Sequence, residues 1–211
     1  MRKKAEILEI MEIFNQQNPH PQCELNFHNA YTLLVAVVLS AQTTDKGVNR
    51  ATQSLFKIAD TPQKMINLGE KKLIEHIRTI GLFNNKAKNI IALSQQLIDN
   101  FNGVVPDNRE DLEKLAGVGR KTANVVLNVW FKKPTLAVDT HVLRLANRLD
   151  FSKAKTPLGV ELDLLKMLPQ KYVINANHWL VLFGRYICKA QKPLCQQCPI
   201  VSYCYSKDKN I

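Results

Sequence analysis

The chain has 211 residues, of which 45% are hydrophobic and 22% are charged. This composition is close to that of ordinary globular proteins, so it excludes a wholly disordered chain and a collagen-like repeat. The 29 Lys and Arg residues outnumber the 18 Asp and Glu residues, which gives a formal net charge of +11. A surplus of this size indicates a polyanionic partner, either a nucleic acid or an acidic membrane surface.

Apolar residues at helical spacing predict an all-α chain without a strand. The first predicted helix already shows this pattern, because its apolar residues fall on one face. In chain order the predicted helices are 5–16, 29–40, 62–68, 70–79, 85–101, a short helix capped by Asp107 or Asn108 and ending at Leu115, 120–131, a helix capped by Asp139 and ending at Leu149, 159–168 and 175–187.

Two features of the sequence exclude a membrane protein and an exported one. The longest apolar run, Leu33–Leu39, is far shorter than the roughly 20 residues that a membrane-spanning helix needs. Glu6, Glu9 and Glu12 interrupt the N-terminal segment, so it does not resemble a signal peptide. We therefore expect a cytoplasmic protein with no membrane partner, in which clustered cysteines bind metal rather than form disulfides.

Four of the five cysteines lie close together near the end of the sequence. Their pattern is C-x6-C-x2-C-x5-C, formed by Cys188, Cys195, Cys198 and Cys204. Thiolates this close repel one another unless a cation neutralises them, and zinc and iron–sulfur clusters both accept four sulfurs. Only one C-x2-C pair is present, so the spacing favours a [4Fe–4S] cluster and leaves zinc as the alternative. The isolated Cys23 indicates a packing residue.

The cysteine segment also contains two candidate DNA-binding residues, Lys189 and Lys192. A basic loop that a metal cluster holds in place could bind DNA phosphates. The alternative is that these lysines only keep the segment solvated.

Two glycines separate two predicted helices in the segment Leu115–Ala123. Glycine allows the backbone to turn tightly and to approach a partner closely. The second helix begins at once, so its unpaired N–H groups point into the turn and form an anion site suited to a DNA phosphate. The predicted DNA-binding residues here are Gly117, Val118, Gly119, Arg120 and Thr122.

Lys121 lies in the first turn of that second helix. The positive end of the helix disfavours a charged lysine, which would increase the fraction of neutral amine able to attack an electrophilic carbon. A lysine that contacts a phosphate is the alternative, and the spacing fits both roles. Asp139 is similarly ambiguous, because it is predicted to cap a helix and could also act chemically if that helix faces a ligand.

Four segments together resemble the endonuclease III family of bacterial DNA glycosylases with AP-lyase activity. They are LAGVGRKTANVVLN, AVDTH, LSAQTTD and the cysteine pattern, and they follow the family's order along nearly the whole chain. The resemblance implies an all-α, two-domain helix–hairpin–helix glycosylase fold with a cleft between the domains. A six-helix barrel would cover 22–133, with the hairpin at about 108–131, and an iron–sulfur cluster domain would combine 1–21 with 134–211.

The resemblance also implies roles for single residues. Lys121 would be the nucleophile and Asp139 the essential carboxylate, while the four cysteines would hold a [4Fe–4S] cluster. Gln42, at the end of the buried helix 29–40, would fill the space left by a flipped nucleotide, and Leu82 would wedge the opposite strand. One position departs from the family pattern, because Ala116 replaces the usual proline of the hairpin and removes some of its preorganisation.

The implied function is a bifunctional DNA glycosylase/AP lyase of base excision repair, acting as a monomer at the nucleoid. Its partner would be double-stranded DNA that contains damaged bases or abasic sites. A pyrimidine-dimer glycosylase, a non-catalytic helix–hairpin–helix DNA-binding module and an electron carrier stay open as alternatives. A mismatch adenine glycosylase is disfavoured, because that relative normally lacks the lysine found here as Lys121 and has an extra C-terminal domain.

Overall fold

A computed structural model describes residues 2–210. Within this range the chain forms ten α-helices and no strand, which confirms the predicted all-α class. None of these helices combines the length and the apolarity needed to cross a bilayer. The helices are α1 (Lys4–Gln17), α2 (Ala30–Leu39), α3 (Asp45–Ile58), α4 (Pro62–Ile77), α5 (Phe83–Phe101), α6 (Arg109–Lys114), α7 (Arg120–Val129), α8 (Thr140–Arg148), α9 (Pro157–Met167) and α10 (Gln170–Tyr186).

Short polar side chains fix the residues at which several helices begin. Thr44, Thr61, Asn108 and Thr156 each accept a hydrogen bond from the backbone N–H three residues further on. Such a bond satisfies one of the N–H groups that the first turn of a helix leaves unpaired. The cap of α6 is therefore Asn108, one of the two residues that the sequence offered.

The structure corrects the prediction at α3 and α10 and confirms a predicted break in α4. No helix was predicted over α3, and this was wrong: its buried residues are Val48, Ala51, Thr52, Leu55 and Phe56, and they lie between polar ones. Helix α10 begins at Gln170 rather than at residue 175, directly after Pro169. The predicted break between residues 68 and 70 is present, because Gly69 has a φ of 78° that interrupts α4.

The chain divides into two compact units. One, the hairpin unit, is Cys23–Lys132, and the other, the cysteine unit, combines Met1–Gln22 with Lys133–Ile211. The hairpin unit is formed by one continuous stretch of sequence, whereas the cysteine unit brings together two stretches that are far apart along the chain.

The core of the hairpin unit surrounds helix α2. Every residue of α2 from Tyr31 to Leu39 is buried, so this helix has no solvent-facing side. Its N-terminus is closed by Asn29 and Thr32, each of which bonds the backbone N–H of the other. Fully burying one leucine or valine contributes about 1.5–3 kcal/mol, which explains why so apolar a helix occupies the centre. Cys23 packs at the edge of this core, as predicted.

The cysteine unit joins the N-terminal helix to the C-terminal segment. Arg2 is only 5% exposed, and its Nε donates to the carbonyl of Leu149 over 2.9 Å. The same guanidinium donates to the carbonyl of Tyr203 and lies 4.5 Å from the centre of the Tyr205 ring. Phe14 on α1 packs against α10, with its ring centre 5.0 Å from that of Phe183. Residues from the two ends of the sequence therefore share one core.

Candidate functional site

The turn between α6 and α7 depends on its two glycines for different reasons. Gly117 has a φ of 74°, and a Cβ at this position would lie 2.8 Å from Asn89 Nδ2, so a side chain is excluded by both strain and contact. Gly119 is the N-cap of α7 and has an extended backbone, and nothing lies within 4 Å of the place its Cβ would take. The turn is therefore packed against Asn89 at Gly117, and at Gly119 it leaves space for a binding partner.

Two other residues anchor this turn to the rest of the unit. Val118 is 6% exposed, and its backbone N–H donates to the carbonyl of Leu115 over 3.1 Å. The backbone N–H of Ala116 donates to Gln96 Oε1 over 2.7 Å. A proline has no N–H and could not make this bond. The predicted loss of preorganisation at Ala116 is thus offset here by a contact from helix α5.

Lys121 follows directly as an exposed residue in the first turn of α7. Thr122 and Arg120 beside it are partly buried. The N-cap Gly119 makes no side-chain capping bond to the start of the helix. The Lys121 amine therefore lies in the first turn of a helix whose N-terminus is not covered by a capping side chain.

Gln42 and Leu82 lie in two turns that come close to each other. Both residues are exposed and both have left-handed backbones, with φ values of 56° and 60°. The Cβ position of Gly81, next to Leu82, is 4.0 Å from the carbonyl oxygen of Gln42. The expected position of Gln42 was wrong in detail: α2 ends at Leu39, and Gln42 lies in the turn after it.

Lys86 is a buried residue of this region that no sequence motif indicated. It lies in the first part of α5 and is 5% exposed. Its Nζ donates to the carbonyl of Leu39 over 2.9 Å and to Thr43 Oγ1 over 3.0 Å. The sequence did contain one signal for this burial. Lys86 lies on the same helix face as the buried Ala87 and Ile90, where the periodicity of α5 calls for an apolar residue.

In the cysteine unit, Asp139 is the N-cap of α8. Its Oδ1 accepts hydrogen bonds from the backbone N–H groups of His141 over 2.8 Å and of Val142 over 2.9 Å, which confirms the predicted cap. Both bonds use the same oxygen, so capping does not require Oδ2. The side chain is partly exposed, and a held carboxylate with a second oxygen can still accept a proton or stabilise a positive charge.

The four clustered cysteines lie on the segment after α10, and none of them forms a disulfide. Two short 3₁₀ turns, Cys195–Gln197 and Val201–Tyr203, shape this segment. Arg148 Nη1 donates to Cys188 Sγ over 3.5 Å, and the backbone N–H of Asn210 donates to Cys195 Sγ over 3.3 Å. Donors directed at sulfur are what a bound thiolate requires.

The donor set fits an iron–sulfur cluster. Burial, and secondly the charges of the three other cysteines, raise the pKa of the Cys198 thiol to about 11, so the four sulfurs influence one another. Neutralising that mutual repulsion is the role of a metal cluster. No group of three or more His, Cys, Asp or Glu side chains in residues 2–210 is arranged to hold a single metal ion. Lys189 and Lys192 are exposed on the same segment.

Comparisons with known proteins cover residues of both units. Residues 35–170 match the HhH-GPD superfamily of base excision DNA repair proteins, and residues 188–204 match the iron–sulfur binding domain of endonuclease III. Endonuclease III of Rickettsia conorii is 57% identical over 92% of this chain and 93% of its own length. Endonuclease III of Haemophilus influenzae is 52% identical over 98% of both chains.

A solved structure agrees with these relatives. The structure of a trapped endonuclease III–DNA covalent intermediate has a TM-score of 0.92 and 45% identity, and the match covers 97% of both chains. Endonuclease III enzymes are DNA glycosylases with AP-lyase activity, and their iron–sulfur domain carries a [4Fe–4S] cluster. This chain belongs to the endonuclease III family and is a base excision repair DNA glycosylase and AP lyase.

Proposed function

We propose that this chain removes oxidised or ring-damaged pyrimidines from double-stranded DNA and then cleaves the strand 3′ to the abasic site. The observation that carries the proposal is the exposed Lys121 in the first turn of α7, next to a turn whose shape requires Gly117. Support comes from the relative that was trapped as a covalent intermediate with DNA. A lysine amine can form a covalent bond of this kind to a sugar carbon.

The proposed enzyme acts as a cytoplasmic monomer at the nucleoid. Residues 22–133 form the proposed six-helix barrel, and residues 1–21 with 134–211 form the proposed iron–sulfur domain. One copy supplies the hairpin, the amine, the carboxylate and the cysteines, so the proposed reaction needs no residue from a second copy.

The net charge of +11 and the open face of the hairpin would capture damaged DNA. The start of α7 and the backbone at Gly119 would hold one phosphate, because the positive end of a helix attracts anions. Val118 would keep the hairpin in shape, and Arg120 and Thr122 would extend the contact along the backbone. These contacts are independent of base sequence, as a search for scattered lesions requires.

Gln42 and Leu82 would extrude the damaged nucleotide. Gln42 would fill the space that the nucleotide leaves, and Leu82, an exposed apolar side chain at 57%, would enter beside the base of the opposite strand. Taking a nucleotide out of the stack costs a few kcal/mol and costs least where the base is damaged. The insertion of two side chains offsets that cost and favours lesions over intact pairs.

The proposed chemistry begins with attack of the neutral Lys121 amine on C1′. The bond from C1′ to the base breaks, the base leaves with the electron pair and takes up a proton, and opening of the sugar ring gives a Schiff base. Removal of a proton from C2′ then expels the 3′ phosphate oxygen by β-elimination. Asp139 would stabilise the positive charge that develops on the sugar and relay protons.

The four cysteines would hold the cluster, whose bonds to them would cross-link residues 188–204. No proposed step of the base removal uses it. The proposed role of the cluster is to hold Lys189 and Lys192 in place. Both lysines are exposed on the same segment and would contact DNA phosphates at a constant position.

Borohydride trapping tests the nucleophile. Borohydride reduces a Schiff base to a stable amine, so the natural protein should become covalently attached to an abasic duplex. Lys121→Gln should give no attachment, whereas Lys71→Gln, which removes the same charge at another exposed position, should trap normally. Trapping by the Lys121→Gln protein would contradict the assignment.

A panel of duplexes tests the substrate. Duplexes with thymine glycol, uracil, a pyrimidine dimer or an abasic site are incubated with the natural protein, and strand cleavage is measured. We expect cleavage at thymine glycol and at the abasic site. Cleavage at the dimer alone would favour a pyrimidine-dimer glycosylase, and no cleavage of any duplex would leave only a DNA-binding role.

A further inference from the structure

We propose that Lys86 is a positioning residue that joins the Gln42 turn to the Leu82 turn, so that both side chains meet the duplex at a fixed separation. The proposal rests on the roles proposed above for Gln42 and Leu82, and it adds the group that keeps them in place. Lys86 lies in the hairpin unit, as do both turns.

The side chain of Lys86 contacts one turn, and its backbone contacts the other. The Nζ of Lys86 bonds the carbonyl of Leu39 and the hydroxyl of Thr43, which are the two ends of the turn that contains Gln42. The hydroxyl of Thr43 also donates over 3.5 Å to the carbonyl of Ala41, so both neighbours of Gln42 belong to the network. Through its backbone N–H, Lys86 bonds the carbonyl of Leu82 over 3.1 Å.

Burying this lysine costs free energy, so packing alone does not explain why a lysine occupies this position. Its partners are a carbonyl and a hydroxyl rather than a carboxylate, and burial lowers its pKa. An apolar residue would pack against the core without that cost. Helix α2 has no basic residue in its own last turn, and the ammonium of Lys86 supplies a cation to its negative end at Leu39.

Both turns need external support. Gln42 and Leu82 have left-handed backbones, which are strained for residues other than glycine. Such conformations persist only when surrounding contacts determine them. Lys86 contacts both turns from one buried position. Replacing its side chain removes the bonds to the Gln42 turn and keeps the backbone bond to Leu82, so it should change the position of Gln42 relative to Leu82 without altering either residue.

The test compares Lys86→Met with Lys88→Met. Methionine has a similar length and no charge, and Lys88 is an exposed lysine of the same helix, so the second variant loses the same charge without the buried bonds. Each protein is given thymine glycol in two duplexes, one with adenine opposite the lesion and one with a tetrahydrofuran abasic analogue there. Single-turnover excision rates are measured, and thermal melting confirms folding.

We expect Lys86→Met to be up to about 100-fold slower on the lesion opposite adenine, as small misplacements of reacting groups can cause. On the lesion without a partner base it should be within about 3-fold of the natural protein, because extrusion is then easier. Lys88→Met should match the natural protein on both. Equal loss on both duplexes, or no loss on either, would overturn the proposal.

Thr43→Val keeps the proposal testable if Lys86→Met does not fold. Valine has the shape of threonine without the hydroxyl, so Lys86 keeps its bond to Leu39 and loses the one to residue 43. The expected effect is a smaller loss, again confined to the paired lesion, and an equal loss on both duplexes contradicts it. If the natural protein itself neither excises thymine glycol nor traps with borohydride, the proposed function fails instead.

Discussion

The side chain of Gln96 holds the backbone of Ala116 in place, with Oε1 accepting from the Ala116 N–H over 2.7 Å. The same side chain donates from Nε2 to the carbonyl of Lys114 over 3.3 Å. One glutamine on α5 therefore anchors the start of the hairpin at two points. The preceding residue, Leu115, has φ −74° and ψ 142°, a conformation that a following proline would also accept.

This contact predicts a compensated pair of substitutions. Gln96→Ala should weaken binding to an abasic duplex, since removing a hydrogen bond of this kind costs about 0.5–1.5 kcal/mol. Adding Ala116→Pro to Gln96→Ala should restore affinity, because proline fixes the backbone without a donor. Fluorescence anisotropy measures the affinities, and Gln95→Ala at the neighbouring exposed position is the control. A double variant that binds no better than Gln96→Ala would contradict the anchoring role.

The two hairpin glycines should respond differently to alanine. Gly117→Ala should lower the melting temperature, because the new Cβ meets Asn89 and the backbone is left-handed. Gly119→Ala should change stability by less than about 1 kcal/mol, since only the N-cap preference is affected. It should nevertheless reduce DNA affinity, because its methyl group occupies the open face. Melting curves and anisotropy on the same samples separate the effects, and unchanged affinity for Gly119→Ala would count against phosphate binding there.

Asp139→Asn separates the cap from the chemistry. Asparagine is as good an N-cap as aspartate, and it already caps α2 and α6 in this chain. The variant should melt like the natural protein and lose base excision by about 100-fold or more, in the range of general acid–base catalysis. Asp139→Ala should lose about 1 kcal/mol of stability as well. Full activity of the asparagine variant would reduce Asp139 to a structural residue.

Removal of one cysteine should distinguish ligands from packing residues. Cys198→Ser should lose iron and acid-labile sulfide, because the remaining three thiols cannot complete the cluster. Cys23→Ser should keep both, since Cys23 packs against the core of the hairpin unit. Iron and sulfide analysis with the visible absorption spectrum checks the two proteins. Normal iron content in Cys198→Ser would remove it from the proposed ligand set.

The lysines of the cysteine segment should change the salt dependence of binding. If Lys189 and Lys192 each contact a phosphate, replacing either with Gln should reduce the slope of log K against log salt by about 1. Lys71→Gln provides the control, as an exposed lysine outside this segment. Slopes equal to that of the natural protein would show that the two lysines only solvate the segment.

Local signals in the sequence predicted much of this fold. Asn108 and Asp139 are short polar residues before apolar periodic segments, and each caps the helix expected there. The break predicted between residues 68 and 70 falls at Gly69, whose positive φ interrupts α4. Helix α3 was missed although its buried residues, from Val48 to Phe56, recur at helical spacing, because most of its residues are polar.

The functional residues were predictable where they lie close together along the sequence. The hairpin and the cysteine pattern are contiguous segments, so spacing and family resemblance found them together. Lys86 and Gln96 were not found, because each acts on backbone groups of another segment, at Leu39 and at Ala116. A side chain that bonds a carbonyl or an N–H group far away in the chain produces no recognisable pattern in the sequence next to it.

The contact of Arg2 with the carbonyls of Leu149 and Tyr203 has a consequence for biosynthesis. The ribosome makes Arg2 201 residues before Tyr203, whereas residues 23–132 are complete well before Tyr203 is made and domains tend to fold as units during synthesis. The first helix therefore keeps its apolar face unburied until the segments that it packs against have been made. Iron loading and closure of the second core are then late, coupled events, and a nascent chain stalled before residue 188 would expose that helix to proteases and chaperones.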